Sequence, residues 1–505
     1  MPATSSADDH ALCSAQGRVA LLTRLKVTGF KNLVDTELRF GPFTCIAGYN
    51  GVGKSNIFDA IRFLSLLADH TFPDAASRVR GGADPARLFT AGGDGRMIFD
   101  CDVLIPASGR DDFHQPSEAT HTFLKYVLEL ALVPDERGLA RIELRREDLG
   151  YVTQGEAKQR LGFHFEPDWF SSVFRKSPRR ATYIETLENE APTRVRLSAD
   201  KMRDDAKSKR GGGKPTDFYA ATLPRTVLSA AQNADESRTA VLLRAEMRSW
   251  RILQLEPSQL REPDELQAPS SLTTEGRHLP STLFRLTSQA NGHGDRTLAD
   301  ISNRLAQLVD GVSEVRVVRD DVRRVLQLVL TDIRGDEFSA SSLSDGTLRF
   351  IALSVLERDA TATGVLCLEE PENGIHPERM RVMMQLLQEM ATHTSEPISE
   401  TNPLRQVIVS THSPVVVAHT DRNDLVFVDH RDPPNAEPGR YRAMAARPCE
   451  RTWRDRLQGK EIAALTKGDI LRYLGALRPE DADDGATDTT YGSVAHQLDL
   501  FGPSR

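Results

Sequence analysis

The sequence predicts an α/β fold: a mixed central sheet with an antiparallel β lobe and an inserted helical region. Three stretches carry this prediction. Phe43-Thr44-Cys45-Ile46-Ala47 is a strand-like run that leads through a glycine-rich turn into a helical pattern. Val365-Leu366-Cys367-Leu368 ends in Glu369-Glu370, and Gln406-Val407-Ile408-Val409-Ser410 ends in Thr411-His412-Ser413-Pro414. Four apolar residues that end in two carboxylates read as a buried parallel strand delivering acids at its C-terminal edge, the edge where open α/β sheets place ligands.

The other elements follow in chain order. Residues 1–17 are small and polar with no apolar stretch, a loose tail rather than a signal peptide. Leu21 to Val27, Thr36 to Phe40 and Phe43 to Ala47 read as strands, with Gly41-Pro42 as a turn. Ile57, Ala60, Ile61 and Leu64 then share one helical face. Residues 71–96 read as a surface loop. Met97 to Val103, Phe123 to Val133 and Ala140 to Leu144 suggest an antiparallel sheet. Residues 222–255 and 281–311 look helical, 256–270 extended, and Val315 to Val318 with Val325 to Leu330 form a hairpin. The expected division is a first lobe at 18–170, an inserted, partly basic helical region at 171–300, a second lobe at 301–430, an extension at 431–478 and a flexible acidic tail at 479–505.

Composition bounds the function. The chain has 505 residues, enough for two or more lobes, and a formal net charge of -8, so nucleic-acid contact needs a local patch. One such patch is 171–215, with twelve Lys and Arg against six acids. It is a candidate DNA-backbone surface, or a solvated excursion with a flexible Gly211-Gly212-Gly213 tip. Cys13, Cys45, Cys101, Cys367 and Cys449 are far apart and fit a reducing, cytoplasmic setting without zinc or disulfides. No apolar run approaches a membrane span.

Gly48-Tyr49-Asn50-Gly51-Val52-Gly53-Lys54-Ser55 fits G-x-x-x-x-G-K-[ST]. Glycines let bare N–H groups approach phosphate oxygens, and the helix that follows points its positive end at the same anion. Lys54 would reach the β- and γ-phosphates, and Ser55 would give a hydroxyl to Mg2+. Glu369 can hold Mg2+, directly or through water; Glu370 can accept a proton from an attacking water; His412 can bond the γ-phosphate or that water. Ser344, in Ser342-Leu343-Ser344-Asp345-Gly346-Thr347, is a plausible helix cap beside a second anion site.

Together, G-Y-N-G-V-G-K-S, L-S-D-G-T-L-R-F, L-E-E-P-E-N-G-I-H-P and S-T-H-S-P resemble the ABC-type ATPases of the SMC/RecF class. They look closest to the bacterial AAA-family ATPases related to the ATPase half of the overcoming-lysogenisation-defect (OLD) proteins. The resemblance spans roughly residues 20–430 and implies two heads sandwiching two ATP molecules. Lys31 and Asn32 match a segment near the nucleotide, and Gly48, Asn50, Gly51, Gly53 and Asn56 belong to the phosphate-loop set. Ser344 and Gly346 would complete the other subunit's γ-phosphate site, and Gly374 to His376 would lie in the crossing D-loop. Glu369 stands where the family usually has Asp. Gln115 and Gln154 are the candidates for the Q-loop glutamine. Residues 430–505 are too short for the Toprim nuclease domain of OLD proteins, so no nuclease activity is expected in this chain.

Near the C-terminus, Gln497-Leu498-Asp499-Leu500-Phe501 resembles the pentapeptide by which bacterial proteins dock on the DNA sliding clamp. Leu500 and Phe501 would fill an apolar pocket at the end of a flexible tether; the alternative is a short amphipathic end packed on the ATPase. The expected function is an ATP-hydrolysing, DNA-associated dimer or higher oligomer in repair or anti-phage defence, where a separate effector such as a nuclease acts. The rival reading is a nucleotide-gated scaffold with little need for turnover.

Overall fold

The computed structural model describes residues 20–177, 182–187, 192–200, 215–235, 237–288, 294–399, 401–431, 442–458 and 462–475. The tail 1–17, Arg179, Arg180, residues 201–214 of the basic stretch, and the 479–505 tail with Gln497 to Phe501 lie outside the described residues.

Six strands make the central sheet: β1 Phe43–Ala47, β2 Arg251–Leu253, β3 Gly364–Glu369, β4 Arg405–Thr411, β5 Leu425–Arg431 and β6 Ala443–Pro448. Their spatial order is β2-β3-β4-β1-β5-β6; the first five are parallel, and β6 joins β5 antiparallel. Both faces are covered, which is why the middles of β1, β3 and β4 are apolar, with polar residues gathered at the strand ends. Ile46, Val365, Cys367 and Ile408 enter one core, and Cys45, Leu366, Leu368, Val407 and Val409 another. Five helices matter for the site: α1 Lys54–Leu67, α2 Arg238–Ser249, α3 Asp345–Arg358, α4 Met380–Met390 and α5 Lys467–Gly475. The apolar faces of α1 and α2 fill the first core, and those of α3, α4 and α5 the second.

An eight-stranded antiparallel sheet packs against the first core. It runs Thr216–Tyr219, Arg194–Leu197, Ile184–Leu187, Ala140–Tyr151, Phe123–Pro134, Arg96–Leu104, Leu21–Thr28, Thr36–Arg39. A smaller sheet pairs Val312–Asp320 with Val325–Asp332.

Three expectations change. The stretch 71–96 is not a surface loop: a short helix at Phe72–Ser77 buries Phe72, Ala75 and Ala76, and Leu88 is also buried. The region 171–300 is not wholly a helical insertion. Three of its strands extend the antiparallel sheet, and β2 lies in the central sheet beside β3. Within the basic stretch, Arg196 pairs with Asp217 at 2.7 Å and Arg175 with Glu118 at 3.0 Å, so part of its charge is met inside the chain. The segment after residue 430 is no appendage, because β6 is an edge strand of the central sheet.

Gln406 stitches the two large sheets together. Fully buried on β4, its amide accepts from the Leu22 N–H at 3.0 Å and donates to the Leu22 and Gly41 carbonyls at 3.0 and 2.8 Å. An apolar side chain there leaves those backbone groups unpaired in the interior. Gln406→Leu is therefore expected to destabilise the fold by about 2–4 kcal/mol, read by chemical denaturation. A change under about 1 kcal/mol would show that other groups take over these bonds.

Candidate nucleotide-binding site

The parallel strands bring the predicted residues to one edge. β1 ends at Ala47, and the loop from Gly48 turns the chain into α1; β3 ends at Glu369; β4 ends one residue before His412. The register pairs Ala47 with Thr411 and Glu369 with Ser410. Loop, acids and histidine, distant in sequence, thus stand side by side.

Backbone geometry explains the loop's composition. Gly53 has φ of 101°, and a Cβ there would sit 2.4 Å from Asn32 Nδ2, so glycine is required twice over. Asn32 Nδ2 donates to the Val52 carbonyl at 2.8 Å, and Asn56 Nδ2 donates to Asn32 Oδ1 at 2.8 Å. These two asparagines brace the loop from behind, while Asn50 and Gly51 are exposed on its outer turn. No side chain caps α1 at Gly53, so its first N–H groups make an anion-binding end. Lys54 is 8% exposed and donates to the Gly48 and Tyr49 carbonyls at 2.8 and 3.0 Å. Burial holds its pKa below the ordinary value, opposed by the charges of Glu370, Glu372 and Glu369.

Lys31 is committed elsewhere. Its ammonium lies 2.6 Å from Asp59 Oδ2 on α1 and donates to the Arg80 carbonyl at 2.8 Å. Arg80, which local sequence does not distinguish from Arg78 or Arg87, reaches the site itself. It bridges Asp59 Oδ1 at 3.0 Å, the Ser55 carbonyl at 2.9 Å and Glu369 Oε1 at 3.1 Å. Burial opposes its charge, but the two carboxylates outweigh burial and raise its pKa.

Glu370 has φ of 47°, a left-handed conformation unusual for a side chain of this size. Its N–H donates to the Ser410 carbonyl at 2.8 Å, which holds the turn. Asn373 Nδ2 donates to Glu370 Oε2 at 3.0 Å, and His412 Nδ1 lies 2.9 Å from Glu370 Oε1, in ion-pair range but without hydrogen-bond alignment. Glu372, not singled out by sequence, accepts from the Thr411 hydroxyl, and burial raises its pKa.

Ser344 caps α3, its hydroxyl accepting from the Thr347 N–H at 3.2 Å. A Cβ at Gly346 would lie 2.1 Å from the Gly374 carbonyl, so glycine permits α3 to touch the turn after β3. Among the described residues no hydrogen bond joins Ser344 or Gly346 to the phosphate loop.

The two Q-loop candidates lie elsewhere. Gln115 sits in a turn where its N–H bonds Asp111, and Gln154 opens a helix and accepts from Lys176 at 2.7 Å. Neither ends a parallel strand. Gln254 directly follows one: β2 ends at Leu253, which pairs with Leu368, the residue before Glu369. The three-residue strand Arg251-Ile252-Leu253, merged with the helical pattern before it, hid this position.

The parallel sheet and its motif set define a P-loop protein of the AAA-domain class. The chain belongs to the family described as "AAA domain, putative AbiEii toxin, Type IV TA system", which matches residues 137–418, over half its length. Residues 24–76 match a second family described as "AAA domain". Over 61 residues the chain is 38% identical to DNA replication and repair protein RecF of Phocaeicola vulgatus, covering 12% of this chain and 16% of that protein. Over 51 residues it is 41% identical to RecF of Parabacteroides distasonis, covering 10% and 14%. The chain thus spans less than a fifth of the length of these relatives. Among solved structures it is similar to the SMC head domain from Thermotoga maritima, with 13% identity and a TM-score of 0.36 over 85% of this chain and 99% of that one. The Smc head domain with a coiled coil and joint from Pyrococcus yayanosii gives 13% identity and a TM-score of 0.39 over 86% and 98%. Among the described residues no helix is long and apolar enough to cross a membrane.

Proposed function

We propose that this chain binds and hydrolyses ATP, dimerises around it, and acts on or near DNA. The observation that carries the reading is the meeting of Lys54, Glu369, Glu370 and His412 at one sheet edge, beside an uncapped helix N-terminus. Lys54 and the loop N–H groups bind the phosphates. The oxygen donors of Ser55 and Glu369 suit Mg2+, which takes few protein ligands beside substrate phosphates and neutralises phosphate charge when bound. Arg80 now holds Glu369; because its side chain is half exposed, exchanging that ion pair costs little. Glu370 takes the proton of the attacking water, kept in place by Asn373 and His412. Gln254, the residue after β2, would reach toward the same region from the strand next to β3.

Ser344 and Gly346 would serve the site of a second copy, for which the exposed Ser344 at the start of α3 is suited. DNA as the setting rests on the RecF similarity and the basic stretch 171–215. The Gln497 to Phe501 peptide would dock on the sliding clamp, with repair or anti-phage defence beside a separate effector nuclease as the biological contexts in the cytoplasm.

Steady-state ATP hydrolysis with duplex, single-stranded and forked DNA tests this. Wild type is expected to turn over ATP faster with DNA, and Lys54→Ala to lose ATP binding by about 2 kcal/mol or more, roughly thirtyfold in Kd. A rate indifferent to DNA would remove direct DNA sensing; bound ATP without turnover would favour the scaffold reading.

A further inference from the structure

We propose that Tyr473 on α5 is a positioning residue with two separable jobs: its ring sets the phosphate loop and its hydroxyl sets the His412 loop. The inference rests on the hydrolysis reading for its rate half only. Tyr473 is 4% exposed, and its hydroxyl donates to the His412 carbonyl at 2.6 Å. Its ring lies edge-on to Tyr49 of the phosphate loop, with centroids 5.3 Å apart, and to Phe427 at 5.1 Å. Tyr49 and Phe427 close the triangle at 6.0 Å. Phe427 pairs in register with Ala47, the last strand residue before the loop. One side chain from the far end of the described chain therefore touches both motifs that flank the phosphates.

The surroundings make Tyr473 a stiff strut rather than a loose neighbour. Ile470 and Leu474 of α5 join the core that holds Val416 and Val417, just beyond His412. Arg447 on β6 pairs with Asp469 at 3.2 Å and ties the start of α5 to the sheet. Burial raises the Tyr473 phenol pKa above its ordinary value, so the hydroxyl stays a neutral donor throughout the working pH range. Tyr49 is 49% exposed, and among the described residues its ring contacts are those with Phe427 and Tyr473. Aromatic edge contacts fix ring orientation as well as bury area. The hydroxyl fixes the backbone at His412, whose ring lies beside Glu370.

Two variants separate the jobs. Tyr473→Phe keeps the buried ring and deletes one hydrogen bond; it is expected to lower kcat about tenfold with Kd for a non-hydrolysable ATP analogue unchanged. Tyr473→Ala also releases Tyr49 and is expected to raise that Kd about tenfold. Thermal melting of each variant in the full chain checks folding, and wild type with Lys54→Ala calibrates the assay. If wild type turns over ATP while Tyr473→Phe keeps its kcat, or Tyr473→Ala keeps its Kd, the proposal is overturned and the hydrolysis reading stands. If wild type binds ATP without turnover, the hydrolysis reading fails; the Kd of Tyr473→Ala then decides this proposal, upholding it if raised and overturning it if unchanged.

Discussion

Glu370→Gln is expected to lower kcat for ATP hydrolysis by at least about 10²-fold while ATP affinity stays within about twofold. The two side chains have the same shape, so the left-handed turn and the Ser410 bond that holds it are kept. The amide oxygen can still accept from Asn373 Nδ2, as Glu370 Oε2 does at 3.0 Å. What disappears is the negative charge beside His412 and the ability to take a proton from water. Removing a negative charge near the phosphates also relieves repulsion of the nucleotide, so binding has no reason to weaken. Radiolabelled ATP turnover and filter binding on the same preparation measure both quantities. A kcat within threefold of wild type, on a protein that hydrolyses ATP, would move the base role away from Glu370. Retained biological function in a variant without turnover would favour the nucleotide-gated scaffold.

Arg405→Ala is expected to be the most destabilising single truncation outside the site, costing about 3–5 kcal/mol. Arg405 opens β4 and is 1% exposed, yet it pairs with no carboxylate at hydrogen-bond distance among the described residues. Instead its guanidinium donates to the carbonyls of Glu357, Asp359 and Ala362 at 3.2, 2.8 and 2.5 Å. The Glu357 and Asp359 carbonyls lie at the C-terminal end of α3, where the helix dipole is negative and the last acceptors have no partner within the helix, and that of Ala362 lies in the turn before β3. Burial pulls the Arg405 pKa down to about 10, still high enough to keep the charge at neutral pH. The residue therefore joins the helix that begins at Ser344 to the strand that ends beside His412. Scanning fluorimetry should show a melting point lower by about 3–5 °C. Arg405→Lys should recover less than half of the loss, because one ammonium cannot span three carbonyls as a planar fork does. A melting point equal to wild type in Arg405→Ala would mean that ordered water satisfies these carbonyls.

Several features are legible in the sequence because they are local. The loop Gly48 to Ser55 announces itself by residue types that a tight, phosphate-facing turn demands. β3 and β4 announce themselves by apolar runs that stop at Glu369-Glu370 and Thr411-His412, since a strand covered on both faces has nowhere to put polar residues except its ends. The hairpin over 312–332 follows from β-branched alternation about a polar turn. Other features had no local mark. Arg80 is one arginine in a glycine-rich stretch until Asp59 and Glu369 close on it. β2 has only three residues, and its strand state is set by Leu366 to Leu368 alongside, not by its own pattern. Tyr473 lies in a segment that reads as an extension, and only folding brings it to His412 and Tyr49.

The sequence by itself therefore determined the sheet class, the loop and the order in which chemistry-bearing residues meet the strand ends, because period and turn chemistry act over a few residues. Only the tertiary structure decided that Arg80, the strand Arg251 to Leu253 and Tyr473 come to the sheet edge where Glu369 and His412 lie. Their placement depends on hydrogen bonds, ion pairs and ring contacts to partners far away in the chain, and nothing in a residue's immediate neighbours encodes which distant group will satisfy it.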